Sequence, residues 1–313
     1  MEKIRDRPLL LEIYESPSDF VPEADVSIIL GASGEDRMKH VEQWQPNAKG
    51  IRFTHIVDQT PSKFTYVTEA GEKDVSLRSD KELKEFWLSL NARSFYLDLT
   101  GFAHHVWAPL IRSCLIGGYR LMVIYVEPLD YSYNVTPTEG EIFDLSERIT
   151  GVSPIPGFAA LREIRDEKVC FIPFLGFEGR RFAYVIEQVQ PPGGKVVPVI
   201  GVPGFRPEYP FNACLCNRQT LVETRAWKNM RYATANNPFS AFFLLEDIAN
   251  EYQGDLLKVA PIGTKPHALG AVLFAIVNPR NVELVYDHPV RKARRSGGAS
   301  HLLVYHVSAF LRT

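Results

Sequence analysis

Four short loops in this sequence combine glycine with charged or imidazole side chains. They are Gly31-Ala32-Ser33-Gly34-Glu35-Asp36-Arg37, Thr100-Gly101-Phe102-Ala103-His104-His105, Gly176-Phe177-Glu178-Gly179-Arg180-Arg181 and Gly263-Thr264-Lys265-Pro266-His267. Each follows an apolar run and precedes a helix-like stretch. Glycine lets backbone N–H groups approach a ligand, and the start of a helix favours an anion. Gly31, Ser33, Gly34, Thr100, Gly101, Gly176, Gly263 and Thr264 are therefore candidate ligand contacts, with Arg37, Arg180, Arg181 and Lys265 as cations for phosphate. Tight turns that bind nothing would use the same glycines. A fifth loop, 201–206, also follows a strand-like run.

The acid–base candidates are Glu35, Asp36, His105 and His267, with His104 beside them. A carboxylate at Glu35 or Asp36 suits a ribose hydroxyl or a metal, or simply a helix first turn. The histidines could donate to phosphate or transfer a proton; a buried, hydrogen-bonded ring is the structural alternative. Lys265 lacks the spacing of a phosphate-binding P-loop. The run 291–295 with Arg294 and Arg295 reads as an anion-binding arm or a solvated loop. Residues 225–232 interleave cations with Trp227 and Tyr232, which suits stacked bases or an amphipathic helix. Nucleic acid is thus a partner candidate through 225–232 and 291–295. No hydrolase elbow, zinc-protease motif or dinucleotide fingerprint is present, and the sequence names no cofactor.

These loops need strands to aim them. Runs at 9–14, 26–30, 51–57, 95–99, 121–126, 169–175, 196–202, 256–262 and 282–286 read as buried, mostly parallel strands. Helices are expected at about 103–116, 239–252 and 266–276. Another should run at 80–90, capped by Ser79 or Asp80. A hairpin is expected at 63–77, and a short helix near 140–148 inside a turn-rich junction. Strands alternating with helices predict an α/β fold.

The loops also recur. Residues 30–46 and 175–191 align without a gap, with seven of 17 positions identical. Residues 100–108 and 262–270 echo each other, with Gly101 over Gly263 and His105 over His267; Tyr125 and Pro128 then recur as Tyr286 and Pro289. The offsets are 176 − 31 = 145 and 263 − 101 = 162, so an insertion is expected at about 203–238. The expected organisation is two related Rossmann-like halves, 1–130 and 166–313, joined by a linker at 131–165 and arranged as an internal pseudo-dimer.

Composition bounds the rest. Hydrophobic residues are 45% and charged residues 23%, which excludes wholesale disorder. Net charge is 35 − 37 = −2, so bulk charge marks neither a nucleic-acid nor a membrane binder. There is no long apolar span and no signal-peptide pattern, so a cytoplasmic location and no membrane partner are expected. The four cysteines form neither a disulfide framework nor a zinc set, so no metal is expected.

The segment Tyr96-Leu97-Asp98-Leu99-Thr100-Gly101, with the following helix and the strand Val123-Ile124-Tyr125-Val126, resembles the core of CARF and SAVED domains. Those families are Rossmann-like sensors of cyclic oligonucleotides in prokaryotic antiviral defence. Their strand leads into Asp-x-Thr-Gly-Gly-Thr-Lys or similar. Here Asp98, Thr100 and Gly101 fit, but Phe102-Ala103-His104 replaces the remainder, which Gly263-Thr264-Lys265 supplies in the second half. The resemblance covers about 26–128 and 170–290. It implies a nucleotide-binding sensor or adaptor, with a nucleotide or cyclic oligonucleotide held between two halves and an effector protein as partner. Two other readings stand beside it. One is a nucleotide- or nucleic-acid-processing hydrolase using Glu35, Asp36 or His267. The other is a non-catalytic subunit of a larger complex, marked by an apolar patch around Trp227, Phe239, Phe242 and Phe243.

Overall fold

The computed structural model describes residues 10–32, 35–44, 50–138, 140–160 and 166–312. Ser33 and Gly34 lie outside them. Along the chain run β1 (Leu11–Tyr14), β2 (Ser27–Gly31), α1 (His40–Trp44), β3 (Arg52–Gln59), β4 (Lys63–Thr68) and β5 (Gly71–Ser76). Then come α2 (Asp80–Ser89), β6 (Ser94–Asp98), α3 (His104–Ile116), β7 (Arg120–Val126) and β8 (Asp130–Tyr131). The middle holds β9 (Tyr133–Thr138), β10 (Glu141–Phe143), β11 (Ser146–Ile149), β12 (Ser153–Pro154), β13 (Val169–Phe174), α4 (Gly179–Val189), β14 (Val199–Gly201) and α5 (Tyr209–Glu223). It continues through β15 (Arg231–Ala233), α6 (Pro238–Glu251), β16 (Leu256–Pro261), α7 (Lys265–Val277), β17 (Val282–Tyr286) and β18 (Pro289–Arg291). The chain ends with β19 (Ser296–Gly297), β20 (Leu302–Tyr305) and α8 (Val307–Leu311).

Two compact α/β units result. The first joins Arg7–Tyr131 to Ala293–Thr313; the second holds Ser132–Lys292. The first unit is built on a mixed sheet of order β1-β20-β7-β6-β2-β3-β4-β5. Its middle four strands, β7, β6, β2 and β3, are mutually parallel. The outer strands are antiparallel to their neighbours, and that includes β1, the run expected to be parallel. The second unit has a sheet of order β12-β17-β16-β13-β14-β15, parallel throughout except for β12.

The central strands β2, β7 and β13 read as apolar runs, as parallel strands buried on both faces do. Every residue of β13 is buried, as is every residue of β7 after Arg120. The helices between them carry the same signature. α7 is buried from Lys265 to Ala275, while α2 buries Leu83, Phe86 and Trp87 and is capped by the Ser79 hydroxyl. Both units are thus Rossmann-like in construction. No helix among the described residues is long and apolar enough to cross a membrane.

Three local expectations differ from the structure. Residues 140–148 form strands, not a helix, since β10 pairs with β9 and β11 pairs with β18. Those partners are set by tertiary pairing, which local pattern does not contain. Residues 225–232 form a short 3-10 turn, Ala226–Asn229, followed by β15, with no amphipathic helix. The region 203–238 contains α5, a helix the apolar pattern had not suggested because polar Asn217 and Thr220 lie on its buried side and apolar Phe211, Leu215 and Val222 on its exposed side. The patch expected around Phe239 is not the one exposed, because Phe239 is itself buried.

Candidate functional site

In a sheet wound in both directions, ligands bind where neighbouring strands send their connections to opposite sides. In the first unit that point lies between β2 and β6, whose carboxyl ends carry Gly31 and the Leu99–Gly101 turn. In the second it lies between β13 and β16, which lead into Gly176 and Gly263. The four glycine loops singled out by sequence are therefore two pairs, one pair at each switch point.

Each pair meets backbone to backbone. A Cβ on Gly101 would run into the Gly31 carbonyl, and one on Gly31 would sit 2.9 Å from the Gly101 carbonyl oxygen. A Cβ on Gly263 would lie 2.8 Å from the Leu175 oxygen, and one on Gly176 would lie 3.0 Å from the Ile262 oxygen. Gln59, at the end of β3, ties the first pair together. Its amide donates to the Gly101 carbonyl at 3.1 Å, and its oxygen accepts from Ala103 N–H at 2.9 Å. Asn217 of α5 does related work in the second unit, donating to the Gly176 carbonyl at 2.8 Å.

A buried arginine stands beside each pair. Arg37 lies 5.5 Å from the centre of the Tyr125 ring and donates to the Val126 carbonyl at 2.8 Å and the Tyr125 hydroxyl at 3.3 Å. Its Nε reaches Glu35 at 2.6 Å. Glu35 also accepts from Arg295 at 2.8 Å and from the Ser296 hydroxyl at 3.1 Å. Burial opposes the Arg37 charge, but Tyr125 and Glu35 outweigh it and hold the guanidinium more firmly protonated than usual. Arg181 lies 5.8 Å from the Tyr286 ring centre and grips Asp287 with two bonds of 2.7 Å. Asp287 outweighs the desolvation of Arg181 in the same sense. Glu178 stands 3.5 Å from Arg181 and accepts from the Ser146 hydroxyl at 3.0 Å. Arg180 reaches the Ser146 carbonyl and lies 3.5 Å from Glu178.

The remaining candidates divide by burial. Thr100 is buried; its N–H donates to Asp98 and its hydroxyl accepts from Val126 N–H at 3.0 Å. Asp98 is fully buried and lies 3.0 Å from His40 Nε2. Burial alone would raise its pKa, but His40 and Thr100 hold it below the usual carboxylate range. His104 and His105 are buried on α3, whereas Asp36 sits outside and pairs with Lys39 at 2.9 Å. Thr264 caps α7 by accepting from His267 N–H and donates to the Ala235 carbonyl. Lys265, the first residue of α7, is buried. His267 is fully enclosed, with Nε2 donating to the Ala233 and Thr234 carbonyls. Burial pushes its pKa down to about 4, so the ring is neutral at neutral pH. Arg294 is exposed, with a left-handed backbone at φ 55°.

The structure thus joins Gly31, Gly101, Thr100, Glu35, Arg37 and Arg295 at the first switch point. It joins Gly176, Arg180, Arg181, Gly263, Thr264 and Lys265 at or next to the second. Asp287, Ser146, Ser296, Gln59 and His40 complete these clusters and were missed. The recurring tyrosines were a signal for Asp287, which follows Tyr286; nothing in the sequence signals the serines. Among the described residues, no group of three metal-ligating side chains converges. A scan against protein-family models and a search of curated proteins return no match for this chain.

Proposed function

We propose that the chain is a nucleotide-binding sensor or adaptor made of two related Rossmann-like halves, in keeping with its resemblance to CARF and SAVED domains of antiviral defence. The observation that carries this reading is the matching strand order of the two sheets. β20-β7-β6-β2-β3 in one unit corresponds to β12-β17-β16-β13-β14 in the other, with the same directions throughout and a glycine pair at each switch point.

Finer correspondences support descent from one ancestor. Leu303 lies opposite Tyr125, and Ser153 lies opposite Tyr286. Ser296 lies opposite Tyr131, and Ser146 lies opposite Arg291. The offsets agree, since 303 − 153 = 150 and 296 − 146 = 150. In this reading each half lends the segment after its last parallel strand to the other unit's sheet, a reciprocal exchange that makes the pair an internal counterpart of a strand-swapped dimer.

Binding is favoured over hydrolysis by what holds the acid–base candidates. Glu35 accepts from two arginines and a serine, and His267 is sealed in the core; a proton-transfer group must reach its substrate. Calorimetry with a panel of mono-, di- and cyclic oligonucleotides tests the proposal. Saturable binding of at least one member without turnover is expected. No binding across the panel, or turnover lost in Glu35→Gln while binding persists, overturns it.

A further inference from the structure

We propose that the first unit carries a separate ligand site, a cleft for a phosphate monoester with a hydroxylated body, at the end of its sheet opposite the glycine turns. The proposal does not rest on nucleotide binding at the switch points. β3, β2, β6 and β7 are mutually parallel, so the residues at their amino ends lie side by side. Arg52 opens β3, Asp25 lies just before β2, Asn91 and Arg93 lie before β6, and Tyr119 lies before β7. Together they line a cleft of about 680 Å³, a volume ordinary for small-molecule sites. Its walls are fixed. The Tyr119 ring packs edge-on against Phe95, with centres 5.4 Å apart, and a Cβ on Gly117 would strike that ring at 2.7 Å. Arg312 donates to the Gly118 carbonyl at 2.9 Å, and the Trp87 indole donates to Ser113 at 2.8 Å. Asn91 takes a left-handed backbone at φ 45°, and its carbonyl accepts from Arg52 at 2.6 Å, which holds that guanidinium at the rim.

Charge selects the ligand. Arg52 spends its one side-chain bond on a neutral carbonyl, and the Arg93 guanidinium bonds to nothing among the described residues. Neither forms an ion pair with Asp25, the one acid lining the cleft among those residues. Two guanidinium groups present two planar forks of donors. A phosphoryl group has oxygens enough for both, whereas a carboxylate is filled by one. Asp25 only accepts, so it opposes a bare anion unless the ligand also brings it a donor. A hydroxyl supplies that donor. Leu88, 58% exposed, and the half-buried Tyr119 ring give the rest of the ligand an apolar wall. A sugar phosphate meets these demands together, with its phosphate on Arg52 and Arg93 and a hydroxyl on Asp25.

The test is calorimetry of the full chain, at constant ionic strength, with ribose phosphate, glucose phosphate and glycerol phosphate beside inorganic phosphate, ribose and gluconate. At least one of the three esters should bind about tenfold or more tightly than inorganic phosphate and than gluconate, and ribose should give no heat of binding. Arg93→Ala should weaken that ester at least about tenfold. The Arg93 side chain holds nothing else in place, so the variant should melt like the parent, and Arg93→Gln replaces it if it does not. Asp25→Asn keeps a residue type at home at φ 58° and should narrow the gap between the ester and inorganic phosphate, since the bare ion no longer meets a carboxylate. Several outcomes overturn the proposal: no ester binds, gluconate binds as tightly, or Arg93→Ala leaves the affinity unchanged. An unchanged gap in Asp25→Asn overturns the hydroxyl contact and with it the ligand class. The probes carry no base, so failure here leaves the nucleotide reading untouched.

Discussion

The clusters around Arg37 and Arg181 use the same parts differently. In both, an arginine that follows a glycine turn lies over a tyrosine at the end of the last parallel strand, and a serine from a short antiparallel ribbon donates to a glutamate. The acids are distributed differently. In the first cluster Arg37 and Arg295 share the one carboxylate of Glu35. The second sets Arg180 and Arg181 against Glu178 and Asp287. The position holding Asp287 after Tyr286 is Val126 after Tyr125, where a backbone carbonyl accepts instead. One cluster concentrates its neutralisation in a single carboxylate, and the other spreads it over two.

Removing the acids should break this comparison most sharply. Glu35→Ala takes from two arginines, one of them buried, the carboxylate they share, and should cost about 3–5 kcal/mol of folding stability. Asp287→Ala leaves Glu178 3.5 Å from Arg181, so its loss should be smaller. Urea unfolding of both variants measures the difference. Equal losses would mean that the second acid near Arg181 contributes nothing.

The next effect separates the units by pH. The unfolded chain protonates His267 near its ordinary 6.5, whereas the folded ring resists protonation down to about 4. Stability contributed by the neutral ring is complete above about pH 6.5 and declines as pH falls toward 4. The full contribution is on the order of 3 kcal/mol. His267→Leu should flatten that window relative to the parent in denaturant midpoints taken at several pH values. The first unit's Asp98 behaves differently: its pKa is held below the usual range, so its stabilisation persists until more acidic pH. An unchanged slope in His267→Leu would remove this contrast.

Glycine substitutions rank below these. Gly101→Ala and Gly263→Ala each force a methyl against a carbonyl, at roughly 1–3 kcal/mol or more. Gly101 should be the worse, since its methyl overlaps the Gly31 carbonyl outright while that of Gly263 would stop 2.8 Å from Leu175. Thermal melts of the two variants order them.

Much of this was legible because parallel strands buried on both faces write themselves as apolar runs. β2, β6, β7, β13, β16 and β17 all lie where such runs occur, and Ser79 announced its helix through its capping spacing. The switch-point loops were legible for the same reason: tight backbone crossings demand glycine. The short ribbons were not. β8 with β19 and β11 with β18 pair residues more than a hundred positions apart, and their own segments are polar or basic. Arg295 therefore read as an anion-binding arm, and its engagement with Glu35 depends on a register fixed elsewhere in the chain. Arg181 likewise advertised its charge but not Asp287, which neutralises it from another strand.

The smallest effect sharpens the comparison at the level of one oxygen. Tyr125 presents both its ring and its hydroxyl to Arg37, the hydroxyl accepting at 3.3 Å. Tyr286 presents its ring to Arg181, whose guanidinium bonds to Asp287 and the Ile262 carbonyl instead. Tyr125→Phe should therefore remove an acceptor from a buried cation and cost about 1 kcal/mol, at the low end because 3.3 Å is long for such a bond. Tyr286→Phe keeps the ring and the Asp287 grip, so Arg181 should lose nothing. A double-mutant cycle with Arg37→Met isolates the coupling to the Tyr125 hydroxyl. If Tyr125→Phe proves neutral, the two tyrosines act alike as ring platforms, and what separates the clusters is the placement of their acids alone.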